Sequence, residues 1–357
     1  MRTQGHIIDA IKGKAILAPM LATTDIPFRI ICRTFGAALT LTEMVSAAGI
    51  LRESPTSFRN AVFSPDEHPI GIQLVAADAD TVAAAARELR PFKPDLFDIN
   101  CGCPNDRICE VGAGAQLLDD LPRMTRLLSA ASEATTIPVS AKIRMRGHSR
   151  LSNVRDIARA AEDGGVAMIT VHARVRHARY DVAAQWDSIA EAVNSVDIPV
   201  VGNGDIFSSA DAQRMMRETG CWAVMVARGA LGTPWIFRDI ADGYSCDIQE
   251  HAPDTEEMTR LVCTHMQSMI DEFGSIRAIP RMRKHAMWYS RNFAGMPALR
   301  HQLFSQQDPH IMIEEVCRFF RGAPPHLAQD DPLREEIELR FRKRVLFWVH
   351  EIMLTEG

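Results

Sequence analysis

Leu96-Phe97-Asp98-Ile99-Asn100-Cys101-Gly102-Cys103-Pro104 is the stretch from which the fold can be read. Its first half is a short apolar run of strand type, and its second half stops that run at a thiol framed by Gly102 and Pro104. Glycine frees the backbone and proline removes an N–H, so Cys103 falls where a strand ends and a loop begins. Runs of the same kind recur on both sides: Ala15–Ala18, Leu39–Thr42 and Ile70–Leu74 before it, then Val139–Ile143, Met168–His172, Pro199–Asn203 and Ala223–Ala227. With Leu96–Asn100 they make eight. Segments of helical character lie between them, among them Asp78–Arg90, Pro122–Ala134, Asn153–Asp163 and Ser208–Arg217. Strand and helix in alternation indicate parallel strands joined by crossover helices, and eight units indicate an α/β chain folded as a (β/α)8 TIM barrel. A doubly wound open sheet would more often carry a GxGxxG turn after its first strand, and none occurs.

After Trp235 the strand-type runs stop. Thr255–Phe273, Ile279–Phe293, Ile311–Phe320 and Pro332–Met353 carry apolar residues at helical spacing. The polar stretch Asp247–Asp254 reads as a linker. The expected organisation is a catalytic barrel over 1–243 and a smaller, all-helical C-terminal domain over 254–357.

Composition narrows the class. Of 357 residues, 46% are hydrophobic and 24% charged, as in ordinary globular proteins. No apolar run approaches the roughly 18 residues needed to cross a membrane. Residues 1–14 lack a continuous signal-peptide core, so a cytoplasmic protein is expected. Eight cysteines in so long a chain do not suggest a disulfide scaffold, and with no CxxC pair no metal site is expected. A net charge of −5 argues against a broadly cationic nucleic-acid binder but leaves room for a local basic surface.

In a barrel of this kind chemistry sits at the C-terminal ends of the strands. Here those ends carry Pro19 and Met20, Gln73, Asn100 and Cys103, Lys142 and Arg144, His172 and Arg174, Asn203-Gly204-Asp205, and Ala227-Arg228-Gly229. Any one of these can be an ordinary rim or core residue, but polar groups at nearly every strand end indicate one shared ligand site. Glycines at the last two strand ends suit a phosphate, which backbone N–H groups can bind. The Gln73 and Asn100 amides can read the edge of a heterocycle, and Lys142 and His172 can face an electron-rich ring. Flavin mononucleotide (FMN) fits this set better than a free sugar phosphate. A free thiol titrates near 8.5 and is mostly protonated at neutral pH, so Cys103 can donate a proton.

In the order and spacing of these motifs the chain resembles the tRNA-dihydrouridine synthases over nearly its full length. The matching pieces are Ala18-Pro19-Met20 with Thr24–Arg29, Thr42–Ser46, Asp98–Pro104 followed by Gly112–Gly114, Lys142–Arg144, Thr170–Arg174, Gly202–Ile206, Arg228–Trp235, and Arg283–His285 with Trp288-Tyr289. The resemblance implies an FMN enzyme that reduces uridine in tRNA to 5,6-dihydrouridine with NADPH or NADH as electron source. It implies hydride delivery from flavin N5 to uracil C6 and protonation of C5 by Cys103. It places FMN on Gln73, Lys142, His172, Asn203, Gly204, Asp205 and the Ala227–Gly229 turn, with Pro19 and Met20 beside the ring and Asn100 on the uracil edge. Two departures stand out. Cys101 occupies a position that is usually apolar, and Ala227 one that is more often glycine. Only Cys103 has the Gly-x-Pro frame.

A tRNA partner requires positive charge despite the acidic total. Arg144, Arg146, His148 and Arg150 follow the fifth run, and Arg174, Arg176, His177 and Arg179 the sixth, with Tyr180 beside them. Between Arg277 and Arg291 no acidic residue occurs, and Arg281, Lys284 and Trp288 share a helix face. Arg144, Arg174, Arg176, Arg281 and Lys284 are therefore candidate substrate-binding residues, although such a run can equally be a solvated helix face. A stacked uridine would have to be flipped out to reach Cys103. No membrane or protein partner is called for. Three rivals remain at this level: a dihydroorotate-dehydrogenase-like flavoprotein acting on a free pyrimidine, a Schiff-base aldolase using Lys142, and a tRNA-binding module without catalysis.

Overall fold

The computed structural model describes residues 4–146, 153–178, 180–245, 250–322, 324–328 and 330–344. His148, Arg150 and Arg179 lie outside them, as do residues 247–249 of the expected linker and the last part of the helix expected to reach Met353. Two compact units are present. One holds the described residues up to 178 together with 183–227 and 237–245, and the other holds 180–182, 228–236 and the described residues from 250 onward.

The first unit is an all-parallel sheet whose strands, among the described residues, are β1 (Ala15–Leu17), β2 (Thr40–Leu41), β3 (Val45–Ser46), β4 (Ile70–Val75), β5 (Leu96–Cys101), β6 (Val139–Met145), β7 (Met168–Val175), β8 (Val200–Asn203) and β9 (Ala223–Val226). Their order is β1-β9-β8-β7-β6-β5-β4-β2, with β3 also on β4. The circle closes where the Ala38 N–H donates to the Ala15 carbonyl (2.8 Å) and the Leu17 N–H to the Leu39 carbonyl (2.9 Å). The (β/α)8 barrel expected from the eight runs is therefore the fold. The second run, Leu39–Thr42, holds β2, and β3 follows it after a gap at which the Thr42 hydroxyl accepts the Gln73 N–H (3.1 Å).

The crossover helices form where their caps allow. Ala79–Leu89, Leu121–Glu133 and Ser209–Thr219 begin after Asp78, Asp120 and Ser208, whose side chains accept from the N–H groups of Thr81, Arg123 and Asp211. With helices outside and packed side chains inside, β4 and β5 are buried at every residue. One core cluster joins Ile8 and Ile11 of the N-terminal segment to Ile16, Leu39, Leu41, Leu96, Met168, Val201 and Met225.

The second unit contains helices Thr255–Phe273, Ser275–Ser290, Met296–Ser305, Pro309–Arg321 and Pro332–Arg344. Met296–Ser305 escapes the apolar pattern because Pro297, Ala298 and Phe304 lie off its buried Met296, Leu299 and Leu303. Among the described residues one disulfide joins Cys263 to Cys317, with Cα atoms 5.8 Å apart, a cross-link between two helices rather than a scaffold. The segment Arg228–Ile236 packs within this unit. Arg291 Nη1 donates to the Leu231 carbonyl (2.7 Å), and a Cβ on Gly232 would lie 2.2 Å from the Trp288 carbonyl oxygen.

Candidate active site at the strand ends

Register decides which strand-end residues meet. Gln73 pairs with Asp98, Asp98 with Ser140, Asn100 with Lys142, Arg144 with His172, and His172 with Asn203. Register partners in a parallel sheet share a face, so these side chains form stacked layers inside the barrel.

Cys103 is half-buried at the end of β5, on a loop held from both sides. On the amide side, Asn100 Oδ1 accepts the N–H groups of Gly102 (3.2 Å) and Cys103 (2.9 Å). On the carbonyl side, the Cys103 oxygen accepts from the Ala115 N–H (2.9 Å) and the Cys109 thiol (3.5 Å). Gly114 lets the chain come this close. Its φ is +60°, and a Cβ there would sit 2.7 Å from the Cys103 oxygen and 2.8 Å from Ile108 Cγ2.

The neighbouring thiols differ from Cys103 in access. Cys101 is fully buried, and burial followed by the charge of Asp98 pushes its thiol far up. Cys109 is buried and pushed up, chiefly by desolvation, against the opposing charge of Arg176. Neither is poised as an acid or a nucleophile at neutral pH.

Asn100 Nδ2 donates to Gln73 Oε1 (3.0 Å) and approaches Met44 Sδ (3.5 Å). Gln73 Nε2 donates to Asp98 Oδ2 (2.7 Å), and the Ser140 hydroxyl to Asp98 Oδ1 (2.6 Å). Lys142 Nζ donates to Asn203 Oδ1 (3.2 Å), and Asn203 Nδ2 to the Met225 carbonyl (2.7 Å). Desolvation and the Arg144 charge lower the Lys142 pKa against the attraction of Asp98 and Cys103, while burial raises that of Asp98. Arg144 and His172 are buried, and Pro19 and Met20 are half-buried just beyond β1. This collection presents the cations Lys142 and Arg144 and several oriented amides within a low-dielectric barrel, a donor set that can hold a flat, electron-rich ring.

The remaining candidates have other surroundings. Arg174 is buried, and its Nη2 donates to both carboxylate oxygens of Asp205 (2.7 Å each). Asp205 lies at φ +55° beside Gly204 and also accepts the Ala184 N–H (2.8 Å). Arg176 Nη1 donates to Gln116 Oε1 (3.1 Å) and lies 3.6 Å from Asp119, which Arg146 also reaches at 3.1 Å. Ala227 is the last residue of the 183–227 segment of the first unit. Arg228 and Gly229 belong to the second, where the Arg228 guanidinium lies over the Tyr180 ring (4.2 Å) and donates to the Arg342 carbonyl. Arg281 and Lys284 are half-buried, with Arg281 over the Phe273 ring (4.0 Å) and Lys284 5.9 Å from the Trp288 ring. Trp288 itself is only 1% exposed, so it is a core residue and not an open stacking platform.

Sequence reasoning missed Asp98, Ser140, Met44, Cys109 and Ala115. The signal for Asp98 was its place two residues before Asn100, which puts both on the same face of one strand.

A family model described as dihydrouridine synthase matches residues 16–321. The chain is 32% identical over 311 residues to a probable tRNA-dihydrouridine synthase of Rickettsia conorii, covering 87% of this chain and 94% of that one. It is 32% identical over 321 residues to tRNA-dihydrouridine synthase B of Pseudomonas putida, with 90% and 95% coverage. Among solved structures, histamine dehydrogenase from Rhizobium sp. 4-9 superposes with a TM-score of 0.50 at 12% identity over 88% of this chain. The chain spans 63% of that enzyme's length, and the likeness is one of fold.

Proposed function

The chain belongs to the dihydrouridine synthase family, and on that premise we propose that it reduces the C5–C6 bond of uridines in tRNA to 5,6-dihydrouridine, with Cys103 as general acid. It is a flavin-dependent oxidoreductase. FMN is the flavin proposed, NADPH or NADH the electron donor, tRNA the partner and the cytoplasm the compartment. No helix among the described residues is long and apolar enough to cross a membrane.

The donor set fits a flavin. Lys142 is held on Asn203 inside the barrel, where an electron-rich ring would lower the cost of its charge. Gln73, His172 and Asn203 would hold the ring with it, beside Pro19 and Met20. Gly204, Asp205 and the Ala227-Arg228-Gly229 turn are assigned to the cofactor by their motif positions. Bound flavin supplies hydride chemistry toward uracil C6. The chain's own residues do the rest. Asn100 fixes the loop, the barrel wall excludes water, and the Cys103 thiol gives its proton to C5. Asn100, Arg144, Arg174, Arg176, Arg281 and Lys284 remain the proposed substrate-binding residues.

The observation that carries this reading is the half-buried Cys103, clamped at its own N–H and carbonyl by a loop whose Asn100 is hydrogen-bonded to Gln73. The test is Cys103→Ala. FMN content and tRNA affinity should stay at wild-type levels while dihydrouridine formation falls by about 10²-fold or more, the usual range for a lost general acid. Undiminished turnover in that variant would remove Cys103 from the mechanism.

A further inference from the structure

We propose that Asp98 is a positioning residue for Cys103, the terminal acceptor of a hydrogen-bond chain that runs from the backbone of the thiol's loop through Asn100 and Gln73. The inference rests on the reading of Cys103 as the acid. An ionised carboxylate can only accept hydrogen bonds. Because Asp98 Oδ2 accepts from Gln73 Nε2, the Gln73 amide must turn its Oε1 toward Asn100. Asn100 must then offer Nδ2 to Gln73, which leaves Oδ1 for the N–H groups of Gly102 and Cys103.

Each amide has one donor end and one acceptor end. Turning either around would set N–H against N–H, at Gln73 or at the thiol's own loop. Asp98 is 1% exposed, Gln73 2% and Asn100 9%, so water cannot repair a reversed link. The two ends of the chain demand one sense: the backbone N–H groups of Gly102 and Cys103 can only donate and the carboxylate can only accept, while the Ser140 hydroxyl can do either. The Gln73 and Ser140 donors and the Lys142 charge oppose the effect of burial and favour the ionised form of Asp98.

The test moves the acid one step along the chain with substitutions that conserve size. Q73E alone sets two carboxylates face to face. In Q73E/D98N the new amide at position 98 donates to the new carboxylate at position 73, which still accepts from Asn100. The readout is the rate at which iodoacetamide modifies Cys103 in FMN-loaded protein at neutral pH, followed by mass spectrometry. Q73E should change that rate by about tenfold or more, and Q73E/D98N should return to within about threefold of wild type. D98N alone should also stay within about threefold, because its oxygen can serve Gln73 while its nitrogen donates to Ser140. A double variant no closer to wild type than Q73E overturns the proposal.

Should the Q73E proteins fail to fold or to retain FMN, which Gln73 is itself proposed to hold, D98A against D98N in holoenzyme decides the question. D98A should lose about tenfold or more in kcat at unchanged KM for tRNA while D98N keeps its rate, and equal behaviour of the two overturns the proposal. Thiol reactivity is read without tRNA, so the positioning role can fail while uridine reduction stands, and the reverse.

Discussion

Acidification should loosen the helical unit before it damages the barrel, because two histidines are buried there side by side. His265 and His285 are both 0% exposed, with ring centroids 4.5 Å apart. Nδ1 of His265 meets the Tyr289 hydroxyl at 3.1 Å, and the His285 ring packs edge-on against Trp288 at 4.8 Å. Burial pushes His265 from 6.5 down to about 3. His285 is lowered well below 6.5 by burial and by the charges of His265, Lys284 and Arg281.

Both rings are therefore neutral in the folded state and charge freely once unfolded. A lowered folded pKa gives stability that is present above 6.5 and is lost as the pH falls toward the folded value. Between about pH 7 and pH 5 the His265 term amounts to a loss of about 2 kcal/mol, and His285 adds up to as much again. The assay is urea denaturation at the two pH values, followed by tryptophan fluorescence, for wild type and for the double variant His265→Leu/His285→Leu. Other titrating groups, His326 among them, are common to both proteins and cancel in the comparison. Wild type should lose about 2–4 kcal/mol more than the variant across that window. Equal losses in the two proteins, or a folded-state titration of His265 near 6.5, would refute the reasoning.

Three further outcomes follow from the barrel. Gly114→Ala should cut turnover by about tenfold or more, since the new methyl would press on the Cys103 carbonyl and on Ile108 at a left-handed φ, and steady-state kinetics on tRNA would register it. Arg174→Ala should cost about 1–3 kcal/mol in denaturant titration, because it strips charged hydrogen bonds from a partly exposed carboxylate that shapes the Gly204-Asp205 turn and keeps the Ala184 N–H. Tandem mass spectrometry after brief iodoacetamide treatment should find Cys103 modified and Cys101 intact, and Cys101→Ser should keep wild-type turnover, because the Cys101 thiol is sealed in β5.

Much of this was legible in one dimension. Eight apolar runs with helices between them admit few arrangements other than a parallel barrel, and Gly-x-Pro around a thiol places it at a strand tip whatever surrounds it. Motif order then supplied the family, which the comparisons bear out. Other features were hidden for definite reasons. The break between β2 and β3 depends on a threonine hydroxyl meeting an amide from a strand about thirty residues away. In the helix Met296–Ser305 the apolar residues Pro297, Ala298 and Phe304 lie off the buried Met296, Leu299 and Leu303 and blur the periodic trace. The face shared by Arg281, Lys284 and Trp288 was correctly inferred from spacing, but which way it turned depended on its neighbours, and Trp288 points inward.

The order of residues along the chain therefore determined the barrel, the position of the thiol and the kind of chemistry available, because periodicity and backbone restriction are local properties. Only the folded structure decided that Cys101 is sealed while Cys103 is within reach, that Arg174 is engaged with Asp205, and that Asp98 stands behind Asn100 through Gln73. Those outcomes turn on burial and on the directions of hydrogen bonds between strands distant in sequence, and such relations exist only once the sheet has closed.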